Sequence, residues 1–417
     1  MNTSNYDIRQ GNELRIQCDK GEPVTIEAIQ GSVEVNGCKL LHKQVFANLS
    51  FGIYAWDDSK VSIQGSIKKS YLATSSLVPY CVDVHQKLQA EREKVSPYTA
   101  RKAPRVLILG PQLVDIFSIA RTLVEYAVRC GESLLYLDFD VRKGNITVPG
   151  CMSATVCTRE AHLATNAQNY VLSPTVEFFG FQKCMDNYQL FRSCMNALLD
   201  RVEERMRVDE AVQHGGIIVN GGSWYSEDGS LPLLKELMDR LQFDLVLILQ
   251  DSPIKVGSGR FPSLSVKMFP PVDHLWSKPE QDMLECNMAI DWYFYGVAEE
   301  NFYLANPNQL TRPMDELTIV SFADQREMEE TNKIAPEARS TEAWLKPMPV
   351  PIEKLPNQIL AVTDAKSVDE VRKASVLGFV FVAGVDLSRK MLKLVTPAGG
   401  DLPGTILVKG RIEWSNS

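Results

Sequence analysis

The run Val106–Leu109 constrains the fold more than any other stretch of the chain. Four consecutive apolar residues, ended by Gly110 and Pro111, leave no polar face for water. Such a run reads as a strand buried on both sides, the kind found in parallel sheets covered by helices. A helical pattern follows at once: Leu113, Ile116, Ala120, Leu123 and Ala127 recur at helical spacing, and Gly131 stands just beyond. The same alternation then repeats. Leu134–Leu137 is closed by Asp138 and Asp140, and Ile217–Val219 and Leu245–Leu249 are further buried runs. Helical patterns over Leu190–Arg207 and Leu231–Leu241 lie between them. Alternating strands and helices with short connections predict an α/β domain with a doubly wound parallel sheet, placed at residues 105–310.

The flanks follow a different period. Leu14, Ile16 and Cys18 alternate with polar residues, as do Val24 and Ile26, then Val33 and Val35. Asn36-Gly37 is a two-residue hairpin signal, and Phe51–Trp56 and Val61–Ile67 continue the alternation. Residues 1–95 therefore read as an antiparallel β domain, closed by a polar helix at Asp83–Glu93, and residues 96–104 as a linker. In residues 311–417 the strand-like runs Ile359–Val362, Gly378–Val385, Met391–Val395 and Thr405–Ile412 predict a second β-rich domain, with a loop-rich stretch over 324–357.

Composition narrows the function classes. The chain has 417 residues, with 52 acidic against 44 basic side chains, which argues against a surface that wraps nucleic acid directly. Its longest apolar stretch, Val376–Val385, is about half of the roughly 20 residues a spanning helix needs. Nine scattered cysteines without a CxxC pair, and five histidines without ligand spacing, predict neither structural zinc nor a disulfide framework; a reducing compartment fits best.

The junction after Val106–Leu109 is where a phosphate-binding loop, G-x-x-x-x-G-K-[ST], would sit. In that loop the second glycine lets backbone N–H groups turn toward phosphate, lysine adds a cation, and the hydroxyl ligates Mg²⁺. Here the stretch is Gly110, Pro111, Gln112, Leu113, Val114, Asp115, Ile116, Phe117 and Ser118. Gly110 keeps the first position, but Asp115, Ile116 and Phe117 stand where glycine, lysine and the hydroxyl belong. On the motif alone, a lapsed phosphate site and an ordinary strand–helix junction are both open.

Resemblance over the whole length favours the first. Asn12–Ile16 with Gly31–Gly37, Gly52–Trp56, Arg105–Pro111 with Glu125–Arg129, Leu135–Asp140, Thr147–Thr155, Trp292–Gly296 and Gly378–Val382 occur in the order of one family. The chain resembles the polynucleotide 5′-hydroxyl kinase family, and within it the Clp subunits of pre-mRNA cleavage factor IA. The resemblance implies a central P-loop NTPase-like parallel sheet between an N-terminal β-sandwich-like domain and a C-terminal β-rich domain. It implies ATP as the loop's ligand, with Glu13 on the nucleotide, Tyr54 and Trp56 near its base, and Asp140 at the Mg²⁺ side. It also implies nuclear work beside the large cleavage-factor IA subunit and other 3′-end processing factors, with RNA met through them and no membrane.

Departures from the family pattern gather at one place. The loop has lost its lysine and hydroxyl, Arg142 and Lys143 replace the Gly-Gln after the second strand, and Ser252–Lys267 carries Arg260 but no arginine pair for a lid. Ser50 stands where the family has lysine. Losing one electrostatic clamp costs phosphoryl transfer about 10³-fold or more. These changes together predict a non-enzymatic assembly subunit, a pseudo-kinase, with ATP retention in doubt and no metal. Two alternatives stay open: a residual 5′-kinase that takes its cation from Lys143, and a sensor that binds ATP without turnover.

Overall fold

The computed structural model describes residues 3–18, 24–40, 43–46, 50–73, 75–95, 102–111, 114–158, 174–249, 265–270, 279–296, 298–299, 302–303, 307–327 and 341–414. Gln112, Leu113, Arg260, most of the linker and much of the stretch 324–357 lie outside them.

The N-terminal residues form two facing sheets. Thr3–Ile8, Ser59–Gln64, Val24–Gln30 and Gln44–Phe46 make one; Cys38–Lys39, Val33–Val35, Ser50–Ala55, Glu13–Cys18 and Ile67–Leu72 make the other. The alternating residues Leu14, Ile16, Val24, Ile26, Val33 and Val35 point into the core between them. Asn36 and Gly37 both take positive φ, 48° and 82°, as a tight hairpin turn with the strands' own twist requires. The outer face of the second sheet is not open to water. The helix Ile116–Arg129 packs on it, so closely that a Cβ on Gly37 would lie 2.9 Å from Glu125 Cβ.

In the central domain five strands run parallel, in the spatial order Leu134–Asp138, Ile217–Asn220, Arg105–Leu109, Leu245–Leu249 and Ser265–Phe269. Leu107 pairs with Val219 on one side and Val246 on the other, so the run that defined the fold is the middle of the five parallel strands. The helices Val78–Arg92 and Ile116–Arg129 cover one face, and Tyr188–Val208 and Leu231–Leu241 the other. The sheet is mixed rather than wholly parallel. Cys151–Cys157 and Thr175–Phe178 extend it antiparallel beyond Leu134–Asp138. The connection 139–150 holds no helix, so the chain turns back beside its own strand instead of crossing over.

The C-terminal sheet has seven strands, ordered Asn308–Pro313, Met391–Thr396, Val376–Asp386, Gln358–Thr363, Ile406–Glu413, Thr318–Ser321 and Met348–Pro349. Its first strand begins at Asn308, two residues before the boundary read at 310. This domain shares a core with the central one. Phe294 stacks on Trp414 with centroids 5.6 Å apart, and the Tyr293 hydroxyl accepts from Phe379 N–H at 3.0 Å. The aromatic cluster Trp292–Tyr295 thus ends the helix Pro279–Tyr295 as mortar between two domains. Gly180 and Gly410 let the backbones touch: Arg411 N–H donates to Gly180 O at 2.7 Å, and a Cβ on Gly410 would sit 2.3 Å from that oxygen.

Candidate functional site

The carboxyl ends of the parallel strands carry the candidate loop, as the topology of open α/β sheets requires. Gly110 ends the middle strand and lies under Ile116, whose side chain would be 3.0 Å from a Cβ there. Pro111 follows it, and Gln112 and Leu113 lie outside the described residues. Val114 through Ser118, with Asp140, line one pocket, together with Asn36, Ser50, Lys143, Asn145, Glu285, Met288 and Trp292. The structure therefore brings most of the sequence-chosen loop residues and Asp140 together. The space within this pocket is about 660 Å³, open solvent at its mouth included.

Each substituted loop residue has taken a structural task. Asp115 is the N-cap of the helix: its carboxylate accepts from Ser118 N–H at 3.0 Å and from the Ser118 hydroxyl in a short contact. A side-chain anion thus sits where the helix N-terminus would otherwise receive an external one. Its φ is −77°, so the backbone here does not use the left-handed conformation that glycine permits. Ile116 is buried at 3% exposure, and Phe117 packs on the Tyr136 ring with centroids 6.2 Å apart. A cation enters the pocket from beyond the end of the strand Leu134–Asp138. Lys143 Nζ lies 2.5 Å from Glu285 Oε2, with its side chain only 13% exposed.

Glu13 lies in an adjoining narrower pocket, walled by Glu34, Gly52, Tyr54 and Cys81, which shares Asn36 and Ser118 with the loop pocket. Glu13 is buried against Arg15, and burial pushes its carboxyl above the usual range while Arg15 opposes the shift. Tyr54 faces this pocket, whereas Trp56 donates its Nε1–H to Glu34 at 2.8 Å. Glu34 also accepts from the Tyr126 hydroxyl at 2.5 Å, across the junction of the first two domains. Burial raises the Glu34 carboxyl, and the Tyr126 and Trp56 hydrogen bonds oppose it.

Three residues of this region had no signal strong enough to single them out by sequence. Asp138, two residues before the chosen Asp140, is fully enclosed and accepts from Asp140 N–H at 2.9 Å, Asn145 at 2.8 Å and Asn220 at 3.2 Å. Burial first, and the Asp140 charge second, push its carboxyl up to about 8. Its signal was only its place at the end of a buried strand. Asn145 lies on an irregular turn, and Glu285 is 142 positions from Lys143.

Fold and site together define a P-loop-type α/β domain carried between two β domains. Three family models tile the chain in the same order. The N-terminal beta-sandwich domain of polyadenylation factor matches residues 7–95, the mRNA cleavage and polyadenylation factor CLP1 P-loop matches 117–296, and the pre-mRNA cleavage complex II protein Clp1 matches 306–416. The chain belongs to the Clp1 family. The CLP1 homolog of Brugia malayi is 24% identical over 99% of this chain and 96% of its own length. The polyribonucleotide 5′-hydroxyl-kinase Clp1 of Homo sapiens is 23% identical over 97% of this chain and 95% of its own length. Among solved structures, the wild-type Clp1p–Pcf11p complex superposes with a TM-score of 0.83 at 22% identity, covering 99% of this chain and 98% of its counterpart. A second structure of the extended Pcf11p–Clp1p interface, in a point mutant with ATP loss, superposes equally well.

These relatives correct one expectation. The substituted loop predicted a chain that is not an enzyme, yet relatives that match it nearly end to end are named polyribonucleotide 5′-hydroxyl-kinases. The inference from motif to inactivity was too strong for a physical reason as well. Lys143, the alternative cation weighed from the sequence, does line the loop pocket.

Proposed function

We propose that this chain is an assembly subunit of the machinery that cleaves and polyadenylates pre-mRNA 3′ ends, held there by a large subunit of the Pcf11 kind. One observation carries this reading: three cleavage and polyadenylation family models follow one another along residues 7–95, 117–296 and 306–416 with little left over. The match in fold to Clp1p from a Clp1p–Pcf11p complex supports the choice of partner. With an excess of acidic side chains, the chain meets RNA through its partners, and it works in the nucleus. The test is affinity capture of the tagged full chain from nuclear extract. Recovery of a Pcf11-type subunit with other 3′-end processing factors is expected, and folded chain that returns none of them refutes the reading.

A second reading is favoured by Lys143. In this reading the loop pocket takes ATP, and the chain phosphorylates RNA 5′-hydroxyls as its relatives' names state. Asp115 through Ser118 and Asp140, with Glu13 in the adjoining pocket, would be the residues around the nucleotide, and Lys143 the cation beside it. Two carboxylates stand against a triphosphate here: Asp115 caps the helix, and Glu285 pairs with Lys143. Transfer of labelled γ-phosphate to a 5′-hydroxyl RNA tests it. Activity lost in Lys143→Met supports this reading; its absence from the intact chain sinks it.

A further inference from the structure

A second cleft lies where the helix Pro279–Tyr295 meets the last strand, Ile406–Glu413. Its space is about 1230 Å³, open solvent at its mouth included, and it shares no lining residue with the loop pocket. Met283, Ile290 and Ile412 are its apolar lining, and Gln182, Asn287 and Asn357 add amide groups. Met283 is 65% exposed, an unbranched and polarizable side chain of the kind that adapts to peptide partners. The walls are fixed by contacts between two domains. A Cβ on Gly150 would lie 3.0 Å from Ile412 Cγ1, the Cys286 thiol donates to Arg142 O at 3.0 Å, and Trp414 Nε1–H donates to Asp291 at 2.9 Å. A cleft held in this way needs little ordering when a ligand binds.

Its charge runs against that of the chain. The whole sequence has a net charge of −8, yet the cleft lining sets Arg142 and Arg411 against Glu413. Asp324, which does not line the cleft, pairs with Arg411, whose side chain stays 47% exposed. Arg142 donates to the Ser223 hydroxyl at 3.3 Å. Guanidinium groups beside apolar surface suit carboxylates that flank a large apolar side chain. Single-stranded RNA would instead need an exposed ring on which a base could stack. Among the described lining residues the aromatic one is Trp414, 1% exposed, with its ring packed on Phe294 and Phe381. We propose that this cleft docks an acidic peptide segment of a protein partner, with an apolar side chain against Met283, Ile290 and Ile412 and carboxylates on Arg142 and Arg411. The proposal goes beyond the assembly reading, which names no surface.

Two display libraries of short peptides, selected on the full chain, test it. One is built from Asp, Glu, Leu, Phe, Ser and Gly; the other has Lys and Arg in place of Asp and Glu. Selected peptides are titrated by fluorescence polarisation against wild type, Met283→Glu, Gln182→Glu, Arg411→Gln and Leu387→Glu. Met283 and Gln182 are exposed, so their variants keep the test open where Arg411→Gln fails to fold; Leu387 is exposed but lines no part of the cleft. Binders are expected from the acidic library alone. Met283→Glu should weaken them about tenfold or more, Gln182→Glu and Arg411→Gln several-fold, and Leu387→Glu not at all. An empty acidic library, equal yield from the basic one, or unchanged affinity in Met283→Glu overturns the proposal. So does single-stranded RNA binding that Met283→Glu abolishes, which assigns the cleft to nucleic acid, or self-association in sedimentation that the same variant abolishes, which assigns it to a second copy. Capture of a Pcf11-type subunit by the wild-type chain is scored separately, so the assembly reading stands or falls apart from the cleft.

Discussion

Asp138 offers the sharpest quantitative test of the site's architecture. It is fully enclosed at the end of its strand, and its carboxyl is raised from an ordinary 3.8 to about 8. Between those two values the folded chain holds a proton that the unfolded chain has released. Stability from this residue therefore falls as pH rises from about 4, and levels off above about 8. The interval from pH 5 to pH 8 spans about three units, or about 4 kcal/mol at roughly 1.4 kcal/mol per unit, before local relaxation reduces it. Asp138→Asn removes the titration and keeps the hydrogen-bond frame: Asp140 N–H and Asn220 still find an oxygen, and Asn145 turns its amide to accept. The variant should gain on wild type by about 2 kcal/mol between pH 5 and pH 8, which raises the unfolding temperature by a few degrees at the alkaline end. Thermal unfolding of both forms across this range, scored as the difference between them, is the assay. A difference that stays constant with pH would mean that Asp138 is ionised in the folded chain, and would refute the reasoning.

Other substitutions probe the contacts that place the site. Tyr126→Phe deprives the buried Glu34 carboxylate of a donor at the junction of the first two domains, and should cost about 1–3 kcal/mol by denaturant unfolding. Trp414→Ala opens a cavity against Phe294 and Phe381, and should cost about 3–5 kcal/mol, with limited proteolysis quickened near residue 414. Gly410→Ala sets a methyl 2.3 Å from Gly180 O, so the two domains must separate there; a variant of wild-type stability would contradict that contact. Asp115→Ala removes a helix cap and should cost about 1 kcal/mol in thermal unfolding while leaving the helix N–H groups open to added anions.

Much of the architecture was legible because burial writes itself into local composition. Val106–Leu109 has no polar position, and it is the middle of the five parallel strands; Leu14, Ile16 and Cys18 alternate, and they face the sandwich core. Where the reading fell short, the deciding contact was distant in sequence. Cys151–Cys157 carries Ser153 and Thr155 within an almost wholly buried strand, so its composition does not separate an antiparallel strand from a loop. Glu13 and Arg15 looked like the wet side of a strand, yet a domain junction covers them at 6% and 4% exposure. Alternation reports which side of a strand is apolar; it is silent on whether a second domain will cover the other.

The site shows the same limit in a more consequential form. Reading the loop letter by letter was sound for each position: Asp115 does bring a carboxylate to the helix start, Ile116 does fill the place of a cation with an apolar side chain, and Phe117 is packing. The error lay in the step from the loop to the whole pocket. A phosphate site is a charge balance in space, and its terms need not come from adjacent residues. Lys143 follows Asp140 by three positions and restores a cation; Glu285 comes from a helix across the pocket and neutralises it.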